Sequence, residues 1–376
     1  MRKTLVGVAL AFAACGENHE GPGFDAGPPD GAGGFQTAPH TAMPQARAHG
    51  AKIIAHPELV TITFTDDPNK AAFEAFGDAI VGSDWLTAVG ADFGVGTGTH
   101  AAKVSLGAAP ASLDYNGVQS LIESKITDGT LPAPDAGGDH HVYMLYVPRK
   151  VTLGADLQGE YGHHGMGTAK GANVAYAVIL DPSFNDLGVD EDTATAAHEL
   201  IESATDPYDP PSDGWYVDPP LPDPWYLLAG EVADLCDGEA LIKSGTFTVQ
   251  RSYSNAAAAA GKNPCVPEDP DDSWNDITVE PATMPTIPAG GSATFTLTGW
   301  STQPMADWSL SSYTADYSDL YDTDMKPSFT AKTINNGTSV MLTLHAPANA
   351  QSGQLGGLYI YSGDNYRPWP VGFIVQ

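Results

Sequence analysis

Asn173-Val174-Ala175-Tyr176-Ala177-Val178-Ile179-Leu180, followed by Asp192-Thr193-Ala194-Thr195-Ala196-Ala197-His198-Glu199-Leu200-Ile201-Glu202-Ser203-Ala204-Thr205-Asp206-Pro207, decides the expected fold class. The first run is apolar and short, which reads as a buried strand. The second reads as a helix from about Thr193 to Thr205, with Asp192 able to cap its start and Pro207 unable to continue it. Upstream, His141 to Val147 is another buried strand and Leu59 to Phe64 a third. Lys70 to Leu86 reads as a helix with Phe73, Phe76, Ile80 and Val81 on one side, and Val118 to Ile126 as a second helix. Strands and helices in this order predict an α+β or α/β body over residues 49–267.

The pattern then changes. Pro-Glu-Asp-Pro-Asp-Asp-Ser-Trp-Asn-Asp, ending at Asp276, is polar and bounded by proline, and marks 268–276 as an acidic linker. Beyond it come Ile277–Val279, Ala293–Leu297, Trp308–Leu310, Phe329–Thr333, Val340–Leu344, Leu358–Tyr361 and Val371–Val375, with Asn335-Asn336-Gly337 as an expected hairpin turn. Seven short runs over residues 277–376 predict an all-β, immunoglobulin-like sandwich. Nothing in that part suggests chemistry.

Residues 1–14 combine Arg2 and Lys3 with an apolar run from Leu5 to Ala14, which describes an export signal. Ala13-Ala14-Cys15 resembles a bacterial lipoprotein lipobox, with Phe12 where that pattern has Leu, and Cys15 is the expected lipidation site. Residues 15–48 are rich in Gly, Pro and Ala and read as a flexible tether. The resulting expectation is an exported lipoprotein of a bacterial outer membrane or cell surface. With Cys15 lipidated, an oxidising compartment would favour a Cys236–Cys265 bridge; two unpaired buried thiols are the other reading. The chain has 376 residues and a formal charge of −30, which argues against nucleic acid or anionic lipid headgroups as partners. The only membrane attachment expected is the N-terminal lipid.

Residues 171–242 hold sixteen acidic side chains and no Lys or Arg. Such repulsion needs screening, basic residues from elsewhere, or bound cations. Most of these groups read as a solvated face, but two sit among apolar residues. In the first frame, His198 and Glu202 are four apart on the helix and project side by side. Two such side chains can grip one metal ion, and Glu199 between them is placed to activate water. Zinc metallopeptidases use His-Glu-x-x-His in this way; here the text is His-Glu-x-x-Glu, which also suits calcium or manganese. The second frame is Gly230-Glu231-Val232-Ala233-Asp234-Leu235-Cys236. It is similar in outline to the downstream Glu and Asp of gluzincin peptidases, although its spacing is three rather than four. The candidate ligands are therefore His198, Glu202 and Glu231, with Glu199 as base. Asp206 and Asp234 are candidates to orient those ligands or to serve as alternate ligands. The pair His163-His164, in Tyr161-Gly162-His163-His164-Gly165, could supply a ligand or an oxyanion-stabilising donor, with His163 the further catalytic candidate; a surface or loop-satisfied His pair is the plainer reading. Asp206 to Asp213 lacks EF-hand spacing and reads as an exposed turn.

Ala197-His198-Glu199-Leu200-Ile201-Glu202, Thr205-Asp206-Pro207, Gly214-Trp215-Tyr216, Glu231 to Cys236 and Val249-Gln250 to Ser254-Asn255 occur in one order. Together they resemble the phosphate-induced, EXORDIUM-like family of plant cell-wall proteins and its bacterial relatives, over roughly residues 50 to 267. The resemblance implies an exported protein in which the His-Glu-x-x-Glu helix and the Glu-x-x-Asp-x-Cys segment face each other. It supports the Cys236–Cys265 pairing and brings no defined activity. The expected function is a zinc-metallopeptidase-like, metal-dependent hydrolase acting on a peptide or cell-wall polymer, with Zn2+ as cofactor and Ca2+ as the second choice. One competing reading is a non-catalytic surface protein binding polysaccharide or protein, using Trp215, Tyr216, Trp225 and Tyr226. Another is a plain core helix with a His198–Glu202 ion pair.

Overall fold

A computed structural model describes residues 34–50, 52–134, 140–180, 188–208, 214–228, 230–268, 273–363 and 365–376. The signal segment, Cys15 and the first part of the tether lie outside the described residues. Glu58–Phe64 (β1), Thr99–Leu106 (β2), His141–Val147 (β3) and Ala172–Leu180 (β5) run parallel in the order β2-β1-β3-β5. Gly162–Ala169 (β4) closes the edge antiparallel to β5. Three of the parallel strands are near-continuous apolar runs because both faces of the sheet are covered. Lys70–Ile80 (α1), Asp84–Gly90 (α2) and Val189–Thr205 (α4) share one core with Val142, Met144, Tyr146, Ala175, Ala177 and Ile179. Tyr115–Thr127 (α3) packs on the other face, against Tyr143, Leu145, Tyr176 and Val178.

Two helix boundaries differ from expectation. The helix expected over Lys70–Leu86 is broken, and Ser83 caps α2 by accepting from the Leu86 N–H. In α4 the start is four residues earlier than read, with Gly188 at φ 69° as N-cap instead of Asp192. Asp190, Glu191 and Asp192 then fill its first turn, where the helix dipole favours negative charge.

From Asn275 onward, one sheet has the order Asn275–Glu280, Ser292–Ser301, Ser339–His345, Ser328–Phe329. A second has Thr286–Ile287, Asn365–Val375, Leu355–Ser362, Trp308–Thr314, Thr333–Ile334. The single run expected at Phe329–Thr333 is split between them. Thr333–Ile334 pairs with Trp308 and Ser309, whereas Ser339–His345 pairs with Ser292–Thr298, so Asn335-Asn336-Gly337 crosses between sheets and is not a hairpin turn.

The expected fold class, an α+β (or α/β) metalloprotease-like domain followed by an all-β immunoglobulin-like sandwich, is overturned. Strand makes up 36% and helix 20%, and among the described residues the strands form seven sheets, four of them of only two or three strands. Two of these small sheets fall within residues 242–266 and a third joins Trp215–Val217 and Gly230–Glu231 to Arg47–Ala48, stretches that offer no periodic run long enough to register. One continuous core also runs from Phe73 through Trp225 and Val249 to Trp369 and Phe373. Trp225 meets Trp369 edge-on at 5.3 Å, and the Tyr359 hydroxyl donates to the Leu227 carbonyl. The end of the expected tether belongs to this packing. Ala38 and Gln36 bond Asn336, His40 stacks on Trp300 at 3.7 Å, and the Pro44 carbonyl accepts from Tyr253. No helix among the described residues is long and apolar enough to cross a membrane.

Cys236 and Cys265 form the expected disulfide, 29 residues apart. Closing a loop of that length removes about 3.5 kcal/mol of unfolded-chain entropy. The Cys236→Ser/Cys265→Ser variant is therefore expected to unfold at a clearly lower urea concentration; an unchanged midpoint would show that the bridge adds nothing.

Candidate metal centre

The alternation of β4 decides which histidine reaches helix α4. His163 pairs with Val178, whose side chain lies in the α3 core, and His164 pairs with Ala177, which faces α4. Successive strand residues point to opposite faces, so His164 faces the helix and His163 does not. Ala175 and Ala177 are small, which lets α4 approach the sheet. Gly162 adds to that close fit, since a Cβ there would come within 2.7 Å of Glu199 Oε1.

Five carboxylates and two imidazoles converge there. His198 Nε2 lies 3.0 Å from Glu202 Oε2 and 3.5 Å from Asp234 Oδ1. On its other side, His198 Nδ1 donates to Gln250 Oε1 at 3.1 Å, and Gln250 Nε2 donates to the Ala233 carbonyl. That bond turns Nε2 towards the carboxylates, the arrangement by which a remote acceptor fixes a ligand's tautomer once the ring is neutral. His164 Nδ1 is 3.5 Å from Glu202 Oε2 and 3.6 Å from Glu199 Oε2, and its Nε2 is 3.4 Å from Glu231 Oε2.

The downstream segment is held by short elements. Trp215–Val217 (β6) pairs with Gly230–Glu231 (β7), placing Tyr216 opposite Glu231, whose Oε1 accepts from the Tyr216 hydroxyl. The turn after β7 aims the backbone N–H groups of Ala233 and Asp234 at Glu202 Oε1, at 3.3 and 3.1 Å. Asp206, just past the end of α4, accepts from the Gly214 N–H at 2.8 Å.

Burial opposes charge on His164, but Glu231, Glu199 and Glu202 outweigh it and hold its pKa well above the usual imidazole value. His198 shows the same balance, with burial overcome by Glu202, Asp234 and Glu199. Glu202, despite burial, is pulled below the usual carboxylate range by the two imidazoles. Burial pushes Glu231 up, with Glu202 and Asp234 adding to it against the pull of His164. Asp234 is raised by local desolvation and by Glu202, although 56% of its side chain is exposed, which weakens the first of these causes. The cluster is thus short of positive charge and draws it from protons.

The groups whose ligand atoms lie within 4.8 Å of one another are His198–Glu202–Asp234, His164–Asp206–Glu231 and His164–Glu199–Glu202. The structure therefore sets Asp234, not Glu231, beside His198 and Glu202, and gives Glu231 to His164. His163 stands apart, stacked on Tyr115 at 4.6 Å with Nδ1 3.5 Å from Glu160 Oε2. Sequence reasoning weighs His163 and His164 together as a possible ligand or donor, chooses His163 as the candidate, and gives no role to Gln250. The signal for His164 was its register against the alternating Val174–Leu180 run, which only becomes readable once the glycine-rich Gly162–Ala169 is known to be a strand.

Three of the four aromatic residues considered for polysaccharide stacking have other contacts. Trp225 is packed on Trp369, Trp215 lies against Phe93 and Tyr216 bonds Glu231. A separate cavity of about 400 Å³ lies by the C-terminal ends of β1 and β3, lined by Asp66, Asp67, Tyr146, Arg149, Lys150 and Asp192 among others. It shares no residue with the cluster. No protein-family profile matches the chain, and no curated protein matches it significantly.

Proposed function

We propose that this chain is a metal-dependent hydrolase of peptide or related amide bonds, exported and anchored through a lipid on Cys15. The observation that carries the reading is Glu199: it is 4% exposed, and its Oε2 is buried without a hydrogen bond, 3.6 Å from His164 Nδ1 and in one ligand group with His164 and Glu202. A buried carboxylate oxygen without a hydrogen bond is costly unless it has a task or a cation nearby. His198, Glu202 and Asp234 would hold the ion. One imidazole with two carboxylates suits zinc, and the nitrogen donor disfavours calcium.

When bound, a divalent cation supplies Lewis acidity that polarises a carbonyl and acidifies water. Around it, Glu199 accepts the proton of the attacking water at Oε2 and returns it to the departing amine. Gln250 keeps His198 in the tautomer that presents Nε2, and the Ala233 and Asp234 N–H groups fix Glu202. Elemental analysis of the full-length chain, purified without a His tag or chelator, tests this. His198→Ala and Glu202→Ala, still folded by circular dichroism, are expected to lose the zinc bound at this group. Absence of any transition metal in the wild-type chain, even after soaking, would overturn the hydrolase reading.

A further inference from the structure

We propose that the centre takes two divalent cations, the second held by His164 Nε2, Glu231 and Asp206. This rests on the reading of the His198 group as a metal site and extends it. The two groups, His198–Glu202–Asp234 and His164–Asp206–Glu231, have no residue in common, and each set of ligand atoms lies within 4.8 Å. Each contains one imidazole and two carboxylates, so each carries a charge of about −2 with neutral histidine, which one divalent cation balances. A single ion in the His198 group leaves Glu231 and Glu199 to share the His164 ring, in a stretch of sequence with no Lys or Arg from 171 to 242.

The unpaired atoms point the same way. Glu231 Oε1 is engaged by Tyr216, whereas its Oε2 is buried, has no hydrogen-bond partner and faces His164 Nε2 at 3.4 Å. Glu199, nine-tenths buried and more, aims its unpartnered Oε2 at the opposite nitrogen of the same ring. Asp206 is fixed by the Gly214 N–H, and a Cβ on Gly214 would strike the Thr205 carbonyl, so that close approach is reserved for glycine. With Nε2 given to the second ion, His164 Nδ1–H faces Glu202 Oε2 at 3.5 Å, and Glu202 is a ligand of the first. A ring that ligates one ion and donates to a ligand of the other ties the two sites together. Paired ions can hold the attacking oxygen and the scissile carbonyl separately, which offsets the weak Lewis acidity of a carboxylate-rich site.

The test is a zinc titration of the chelator-stripped, full-length chain, read by calorimetry and by elemental analysis after gel filtration. Two equivalents are expected for wild type, and one each for His164→Ala, Glu231→Gln and His198→Ala. Glu231→Gln is isosteric and can still accept from Tyr216, so it guards against a folding defect in His164→Ala. Loaded with Mn2+, wild type is expected to give a spin-coupled paramagnetic resonance signal, and each variant that of an isolated ion. One equivalent in wild type, kept by Glu231→Gln and lost by His198→Ala, would overturn the second site and leave the proposed hydrolase standing. One equivalent lost in every variant would mean a single shared ion and also overturn it. Two equivalents untouched by any variant would place the ions elsewhere, and none at all would sink both proposals.

Discussion

Replacing Glu199 by Gln lowers hydrolysis about 10²- to 10⁴-fold, the usual contribution of a positioned general base, while the metal content stays at the wild-type level. That loss corresponds to roughly 3–5 kcal/mol of transition-state stabilisation. Gln is isosteric, so the close approach to Gly162 survives. Neither of the two separate ligand groups needs Glu199, although it also lies within 4.8 Å of the ligand atoms of His164 and Glu202. The metal measurement is therefore part of the prediction. A variant that loses both metal and activity would make Glu199 a ligand, and one that keeps full activity would remove it from the chemistry. The substrate is sought with wild type on a fluorogenic peptide library. A fall in kcat with little change in KM is the signature of an interaction made in the transition state.

Much of the centre was legible because helical spacing is a strong local rule. His198, Glu199 and Glu202 could be placed on one helix from i, i+3 and i+4 alone, and the Glu231–Asp234 segment drew notice as acid framed by apolar residues. What spacing cannot show is which of two neighbouring acids turns inward. Glu231 sits on a two-residue strand paired with Tyr216, and Asp234 follows in a tight turn; only that pairing sends the first to His164 and the second to His198. The fold was less legible for a related reason. Strands of two or three residues, such as Ser252–Tyr253 with Cys265–Val266, carry no periodicity of their own and exist because distant segments pair with them. Residues 34–48 show the same limit, since their Gly/Pro-rich composition matches a linker while their contacts with Trp300, Asn336 and Tyr253 come from tertiary packing.

The junction between the early and late parts of the chain is expected to lose stability as the pH rises, and Asp276→Asn to abolish that loss. Asp276 is 1% exposed, and burial pushes its pKa up to about 7, with the Arg367 guanidinium only partly drawing it back. Arg367 is committed elsewhere: it bonds Glu239 and Asn263, contacts Cys265 Sγ at 3.4 Å and lies over the Trp274 ring. In the unfolded chain Asp276 ionises near pH 4. Because the folded pKa is the higher one, the folded state holds the proton more tightly, and its contribution is complete below about pH 4. It is lost as the pH climbs from there through about 7, by about 4 kcal/mol in all at 1.36 kcal/mol per pH unit. Asparagine stays neutral throughout and fills the same space. Urea midpoints at pH 5 and pH 8 should therefore separate the two proteins, with Asp276→Asn the more stable at pH 8 and the gap much smaller at pH 5. The comparison within each pH matters, because a chain of net charge −30 weakens in alkali for other reasons shared by both proteins. A gap of equal size at the two pH values would mean that Asp276 does not titrate across this range, and that Arg367 compensates it fully.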